Sequence, residues 1–547
     1  MNHNKFFYFL LVTIGLLAAS CNKNESDETN PAPFAKSEES VGFHLGKRLD
    51  NPYSVENMQR AYDSLLARGQ INSTINITAT HLYIKLTPQD SVEMNKILAD
   101  ATLELFPYPL DYEIYGEGEF IVDDDDWVAT LYTVIPINHQ LDNGINYTIL
   151  EYCYIPEDNG NNSDLALLEM ESLRLTGNLS QEELNAMQNM RFLVPPLQYP
   201  NGYVTVYNTN DNVYEAVRNI KVRTHRVVKI SSAYTDANGY YSSSTGFRWD
   251  VHYSAVFENS QGFKVWSNLG PFSPAIHNVG WHDNAGYNIT IGSNSCAWPW
   301  ATINNAALDY YNVLCPYYHI QKPYNGLRFW YLSGILQDFG SGYGGSAPML
   351  RNLTLSASSL AEFLFVIGIL ESPNLAVATA AAYGAMLCLP DIFVCQIDTI
   401  DTRILRRYIF HEMSHASHYA QVGPVYWVQF VTQICYNWIT SPNHNAYGSA
   451  PNNYNNIIGV GEMWASYFAY KCTDGYYHYY HGLLQQNEWY APQILKKIED
   501  NSDGITPELI YDALIFPVQS HQELKQELIS LYGQSAIITQ AFSESGF

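Results

Sequence analysis

The sequence predicts a multidomain protein: an α+β N-terminal region, a small β-sandwich and a mainly α-helical C-terminal domain. Three observations predict it. The chain has 547 residues, which at roughly 100–200 residues per domain calls for about three or four units. Hydrophobic residues make up 47% of it, enough to bury sizeable cores. Apolar periodicity then changes along the chain, from mixed spacing, through short alternating strands, to helical spacing from about residue 272. The formal charge of −26 argues against nucleic acid as a partner, because such binders need a basic footprint. It equally disfavours charge-driven binding to an anionic membrane surface. Charged residues are only 15% of the chain, and 43 tyrosines outnumber 28 lysines and arginines. The surface therefore relies on Tyr, Asn and Ser more than on ion pairs.

The first twenty residues read as an address. Lys5 precedes the apolar stretch Phe6 to Leu17, which is too short to span a bilayer as a mature helix. Ala18, Ala19 and Ser20 then lead to Cys21. This resembles the bacterial lipoprotein signal, with Ala18 where that pattern prefers Leu. The resemblance implies a signal peptide over residues 1–20 and lipidation of Cys21. It also implies export and a lipid anchor in the bacterial outer membrane, with the protein facing outward. Residues 21–36 are polar and acidic, the composition of a flexible tether. Seven further cysteines (Cys153, Cys296, Cys315, Cys388, Cys395, Cys435 and Cys472) form an odd set, so one thiol stays free or pairs between molecules. Cys388 and Cys395 are close enough to close a small loop.

Residues 37–195 form the α+β region. His81 to Leu86, Thr130 to Ile137 and Tyr147 to Ile155 read as strands. Gln89 to Ala101, Leu165 to Leu175 and Gln181 to Met190 have helical spacing. The carboxylate run Asp123 to Asp126 reads as a solvated turn. Val194-Pro195-Pro196 marks a boundary. Residues 196–271 then alternate as short strands, Tyr203 to Tyr207, Ile220 to Arg226 and Phe247 to Phe257. Asp236 to Tyr241 carries an Asn-Gly pair that suits a tight hairpin. The stretch resembles the β-sandwich modules appended to carboxypeptidases, which implies an accessory unit beside a catalytic domain. In residues 272–547, Ser359 to Leu370, Leu375 to Leu387, Thr402 to Ala420, Val425 to Ile439, Pro492 to Ile498, Pro507 to Ile515 and Gln522 to Leu531 read as helices.

The chemistry-bearing stretch is His411-Glu412-Met413-Ser414-His415. Asp401 or Thr402 can cap its helix, and Gly423-Pro424 can end it. On a helix, His411 and His415 lie one turn apart on one face, so two imidazoles can converge on one tetrahedral zinc. Glu412 can then act as general base toward a water on that ion. A third ligand is needed. His418 lies too far along the axis from His411 to complete the set, and is expected to support a ligand or face substrate. Gly461-Glu462-Met463-Trp464-Ala465 lies on a second amphipathic helix, with Glu462 near its start. It resembles the glutamate helix of gluzincin metallopeptidases, 47 residues beyond His415 and with Ser466 where thermolysin-like members carry Asp. That resemblance implies a zincin-like domain, one Zn2+ held by His411, His415 and Glu462, and hydrolysis of peptide bonds in proteins, peptides or glycoproteins. His444, His478 and His481 are lesser ligand candidates. Tyr447, Tyr476, Tyr477, His478 and His481 are the candidates for stabilising an oxyanion. The alternative is a non-catalytic surface lipoprotein that binds glycan or protein through its aromatic residues.

Overall fold

The structure is a computed structural model. It describes residues 42–89, 91–120, 130–157, 160, 162–189, 194–267, 273–333, 344–349, 391–396, 401–440, 445–448, 451, 456–478, 484 and 488–547. The leader, Cys21, the tether, the Asp123 to Asp126 run and the expected helices over 359–370 and 375–387 lie outside these residues.

The first region opens with β1 (Gly42–Arg48) and α1 (Val55–Ala67). Ser54 caps α1 by accepting from the Asn57 amide, and Met58, Ala61 and Leu65 turn its apolar stripe inward. β2 (His81–Leu86) follows, then α2 (Ser91–Ala99), β3 (Tyr112–Tyr115), β4 (Glu119–Phe120), β5 (Leu131–Pro136), β6 (Tyr147–Cys153), α3 (Ser163–Leu175) and α4 (Gln181–Asn189). β2 is the centre of an antiparallel sheet ordered β5-β2-β6, while β3 and β4 flank β1. Phe43, Tyr53, Met58, Tyr83, Phe106 and Leu168 share one core between these elements. The expected strands and helices of this region match within a few residues; α1, β1, β3 and β4 had not been expected.

Beyond residue 194 the chain builds two sheets. β7 (Asn201–Asn208), β8 (Val213–Ala216), β9 (Ile220–Arg226), β10 (Lys229–Tyr234), β11 (Tyr240–Ser242), β12 (Val251–Asn259) and β13 (Lys264–Trp266) come first. β14 (Ile276–His282), β15 (Ile289–Ile291), helix α5 (Ala297–Asp309), β16 (Arg328–Ser333), β17 (Gly344–Ser346) and β18 (Ile392–Gln396) follow. β7, β8, β11 and β15 form a four-stranded sheet. The other is eight-stranded, ordered β10-β9-β12-β13-β16-β18-β17, with β14 also on β12. The Asn-Gly turn forms, with the Gly239 amide donating to the Asp236 carbonyl at 3.0 Å. It does not close a hairpin, because β10 pairs with β9 and β11 with β7, so the chain changes sheets there.

The eight-stranded sheet corrects the expected fold class. A small β-sandwich followed by a mainly α-helical domain is not what forms; the protein is mixed α/β. Strands on both sides of residue 271 share this sheet, through β12 with β14 and β13 with β16. The physical reason is the pairing. β13, β16 and β18 are parallel neighbours, and parallel strands are joined by long crossovers rather than by local turns. Each is only three to six residues long, so no local alternation announced it. Helix α5 is buried along its whole length. The helices α6 (Thr402–Val422), α7 (Pro424–Thr440), α8 (Asn456–Tyr470), α9 (Gln493–Asn501), α10 (Pro507–Asp512), α11 (His521–Tyr532) and α12 (Ser535–Ser543) complete the chain. Among the described residues, no helix is long and apolar enough to cross a membrane.

Strand β9 is buried on both faces. On the side toward the first region, Arg223 lies over the Phe106 ring at 3.9 Å and reaches Glu104 at 3.2 Å. Arg226 with Glu183 and Lys229 with Glu169, both at 2.8 Å, add two buried ion pairs between the sheet and helices α4 and α3. His225 sits in this interface with its ring 4.8 Å from His252 of β12. Burial, and then the Arg223 charge, push His225 down to about 3. Burial, and then His225 and His282, hold His252 well below its ordinary value. Burial also takes His277 and His521 down to about 4. Each stays neutral in the fold, whereas the unfolded chain takes up protons below about pH 6.5. The stability from these residues is complete above pH 6.5 and is lost as the pH falls toward 4, at about 1.4 kcal/mol per pH unit for each histidine. Thermal unfolding is expected to give a flat Tm above pH 7 and a steep fall between pH 6.5 and 4. A His225→Asn, His252→Asn variant should show a shallower fall.

Candidate metal centre

Helix α6 begins where the sheets end. Asp401 Oδ1 accepts from the Ile404 amide at 2.7 Å, which is the expected cap. The next free amides are met by the turn between β7 and β8: Thr402 donates to Thr209 Oγ1 at 2.9 Å and Arg403 to Asn210 Oδ1 at 2.6 Å. The helix stops at Gly423, whose φ of 84° suits glycine. Between these ends the helix packs on α8 and α5, and the buried face carrying His411 and His415 meets Glu462 of α8 and Trp427 and Phe430 of α7.

Glu462 joins that face from α8. This helix is buried from Ile457 to Ala469 and so is not amphipathic, and Glu462 lies in its middle rather than near its start. The Trp464 indole donates to the Ser414 carbonyl at 3.2 Å, tying α8 to α6. Gly461 makes room for α7, since a β-carbon there would stand 2.5 Å from the Phe430 ring.

The three groups converge closely. His411 Nε2 and His415 Nε2 are 3.2 Å apart. One Glu462 oxygen lies 3.3 Å from His411 Nε2, and the other 3.2 Å from His415 Nε2. His411, His415 and Glu462 are each at most 3% exposed. These residues could hold a metal ion, and no other such group occurs among the described residues. Burial alone would raise the Glu462 carboxyl, but the two imidazoles, His415 foremost, outweigh it and hold the group well below the usual carboxylate range. Ionised, it is an acceptor-only group suited to a cation.

The other candidates separate by position. Glu412 is fully buried beside the three. It lines a small cleft of ≈ 10 Å³, room for about one water, together with His415, Glu462 and Tyr447, under apolar walls from Ala347, Phe430 and Ile434. Tyr447 is thus the member of its set brought to the centre. Tyr477 instead stacks on Phe410 at 5.9 Å, and His478 is exposed with Nδ1 3.1 Å from the Asp474 carbonyl. His418 is not part of the cluster. It packs against Tyr426 and Trp427 at 5.2 and 5.8 Å, and burial takes it down to about 3. Ser466 Oγ meets no hydrogen-bond partner among the described residues. His444 and His481 lie outside them. Cys153, Cys296, Cys315 and Cys472 are free thiols.

Two contributors escaped the sequence reading. The Trp427 ring lies 5.9 Å from His415, and its indole donates to the Ala347 carbonyl at 3.0 Å. Gly345 of β17 lies against the Glu412 side chain. The glycine pair Gly344-Gly345 was the available signal, since glycine inside a strand marks a close approach.

No protein-family model matches the chain, and no curated protein matches it. The geometry therefore stands on its own. Replacing either His415 or Glu462 by Ala should weaken metal binding by more than the roughly 10–100-fold that loss of an outer hydrogen-bond partner costs. Chelator competition measures this, and His418→Asn should leave the affinity near wild type.

Proposed function

We propose that the protein is a zinc-dependent peptidase that hydrolyses peptide bonds of proteins, peptides or glycoproteins. The observation that carries this reading is the convergence of three ligand groups. Tetrahedral zinc with bonds of 2.0–2.1 Å places its ligand atoms about 3.3 Å apart; the two imidazole nitrogens are 3.2 Å apart, one Glu462 oxygen faces each of them at 3.3 and 3.2 Å, and one ligand atom from each residue lies within 4.8 Å of the others. Two imidazoles and one carboxylate form the donor set of a catalytic rather than a structural zinc site, because a fourth position stays available. The arrangement supports the gluzincin resemblance, with the carboxylate supplied from a later helix.

When bound, zinc supplies a Lewis acid that lowers the pKa of water to near 7 and polarises a carbonyl oxygen. The chain's own groups do the rest. The Glu412 carboxylate takes a proton from the attacking water and delivers it to the nitrogen of the leaving amine. Tyr447, which lines the same cleft, would donate its hydroxyl to the oxygen on which negative charge develops. The apolar walls exclude bulk water and strengthen both interactions.

The leader and Cys21 support export and lipid anchoring to the outer membrane, which would present this site to extracellular polypeptides. A second reading, a non-catalytic binder of glycan or protein, draws on the tyrosines of the small sheet, of which Tyr203, Tyr214 and Tyr240 are exposed and Tyr207 half-buried. Tyr203 pairs with Tyr240 at 5.3 Å and Tyr207 with Tyr214 at 5.1 Å. The two readings part in one experiment on purified protein. Glu412→Gln is expected to keep stoichiometric zinc and lose hydrolysis of a mixed peptide library. Tyr447→Phe should keep zinc and lower kcat about 100-fold. Full activity in Glu412→Gln, or no zinc in the wild type, would remove the peptidase reading.

A further inference from the structure

Strand β17 is the edge of the eight-stranded sheet and, with β18, meets the metal helix. Its backbone is held in antiparallel register, Gly345 opposite Val394 and Ser346 opposite Phe393, and β18 is held in turn by β16. A β-carbon built on Gly345 would stand 2.5 Å from Glu412 Oε1, 3.0 Å from Cδ and 3.1 Å from Cγ. All three of its nearest neighbours belong to Glu412.

We propose that Gly345 is a positioning residue for Glu412: the bare backbone of β17 lies against the acid and fixes where its carboxylate stands. This rests on the peptidase reading above. Glycine weakens a strand interior, and its use there marks a close backbone approach. Glu412 is fully buried, so its carboxylate cannot swing into solvent to escape a larger neighbour. Two residues on, the Ala347 carbonyl accepts from the Trp427 indole, whose ring packs on His415. One short segment thus abuts the proton carrier and, through Trp427, a metal-binding histidine.

The test uses the full chain with Gly345→Ala, Glu412→Ala and the double variant. Gly345→Ala should retain zinc stoichiometry and lose kcat by on the order of 100-fold, as expected for a catalytic group misplaced by about 1 Å, with a much smaller change in KM. It should also lower Tm. In the Glu412→Ala background the same substitution should leave Tm unchanged, because the atoms it meets are gone. That comparison needs no activity, and the double variant folds even where Gly345→Ala alone does not. A wild-type kcat in zinc-loaded Gly345→Ala overturns the proposal, and so does an equal loss of Tm in both backgrounds. If Glu412→Gln abolishes hydrolysis while Gly345→Ala does not affect it, positioning fails alone. If Glu412→Gln remains active, the peptidase reading falls and takes the proposal with it.

Discussion

A carboxylate buried between two imidazoles governs the C-terminal half of this protein. Glu462 is the single charged residue of its helix, and that helix is buried along thirteen consecutive positions. An ionised group in such surroundings is very costly unless a partner meets it. His411 and His415 are those partners, and they are presented together because one helical turn separates them. The packing of α6 on α8 follows from satisfying this group. The Trp464 indole fixes their relative height, and Trp427 and Phe430 wall the cluster from α7. Removing one member strands the others in an apolar setting, which costs more than the interaction itself was worth.

The sheet gives this cluster its frame. Its β9 end is clamped to the first region by buried ion pairs, and its β17 end touches α6. The first region therefore covers one face of the same sheet whose other end borders the site. The small sheet supplies the turn that caps α6, so both sheets contribute to where the histidines point.

The histidine pair, its cap and its terminating glycine were legible because each is local, whereas Glu462 was reached only through the resemblance of its helix. A cap, a four-residue spacing and a left-handed stop are all read within one helix. The sheet was not legible for the opposite reason. β16 and β18 lie 63 positions apart along their register, from Phe329 to Ile392, and nothing near either strand names its partner. The Asn-Gly turn was read correctly as a turn and wrongly as a hairpin, because local chemistry fixes the bend and not which sheet the next strand joins. Tyr447 was one of five candidates until the fold placed it in the cleft. Trp427 and Gly345 act through contacts that only the tertiary structure creates.

The parallel pairing of β13, β16 and β18 also bears on how the protein comes to be folded. Contacts of such long sequence separation close large loops before they return any stabilisation, and they slow folding. The histidines can meet on their helix early, but the strand beside Glu412 reaches its place only when the slowest part of the topology has formed. The site is thus assembled late, and a chain caught part-way would carry His411, Glu412 and His415 on their helix without the strand that walls them.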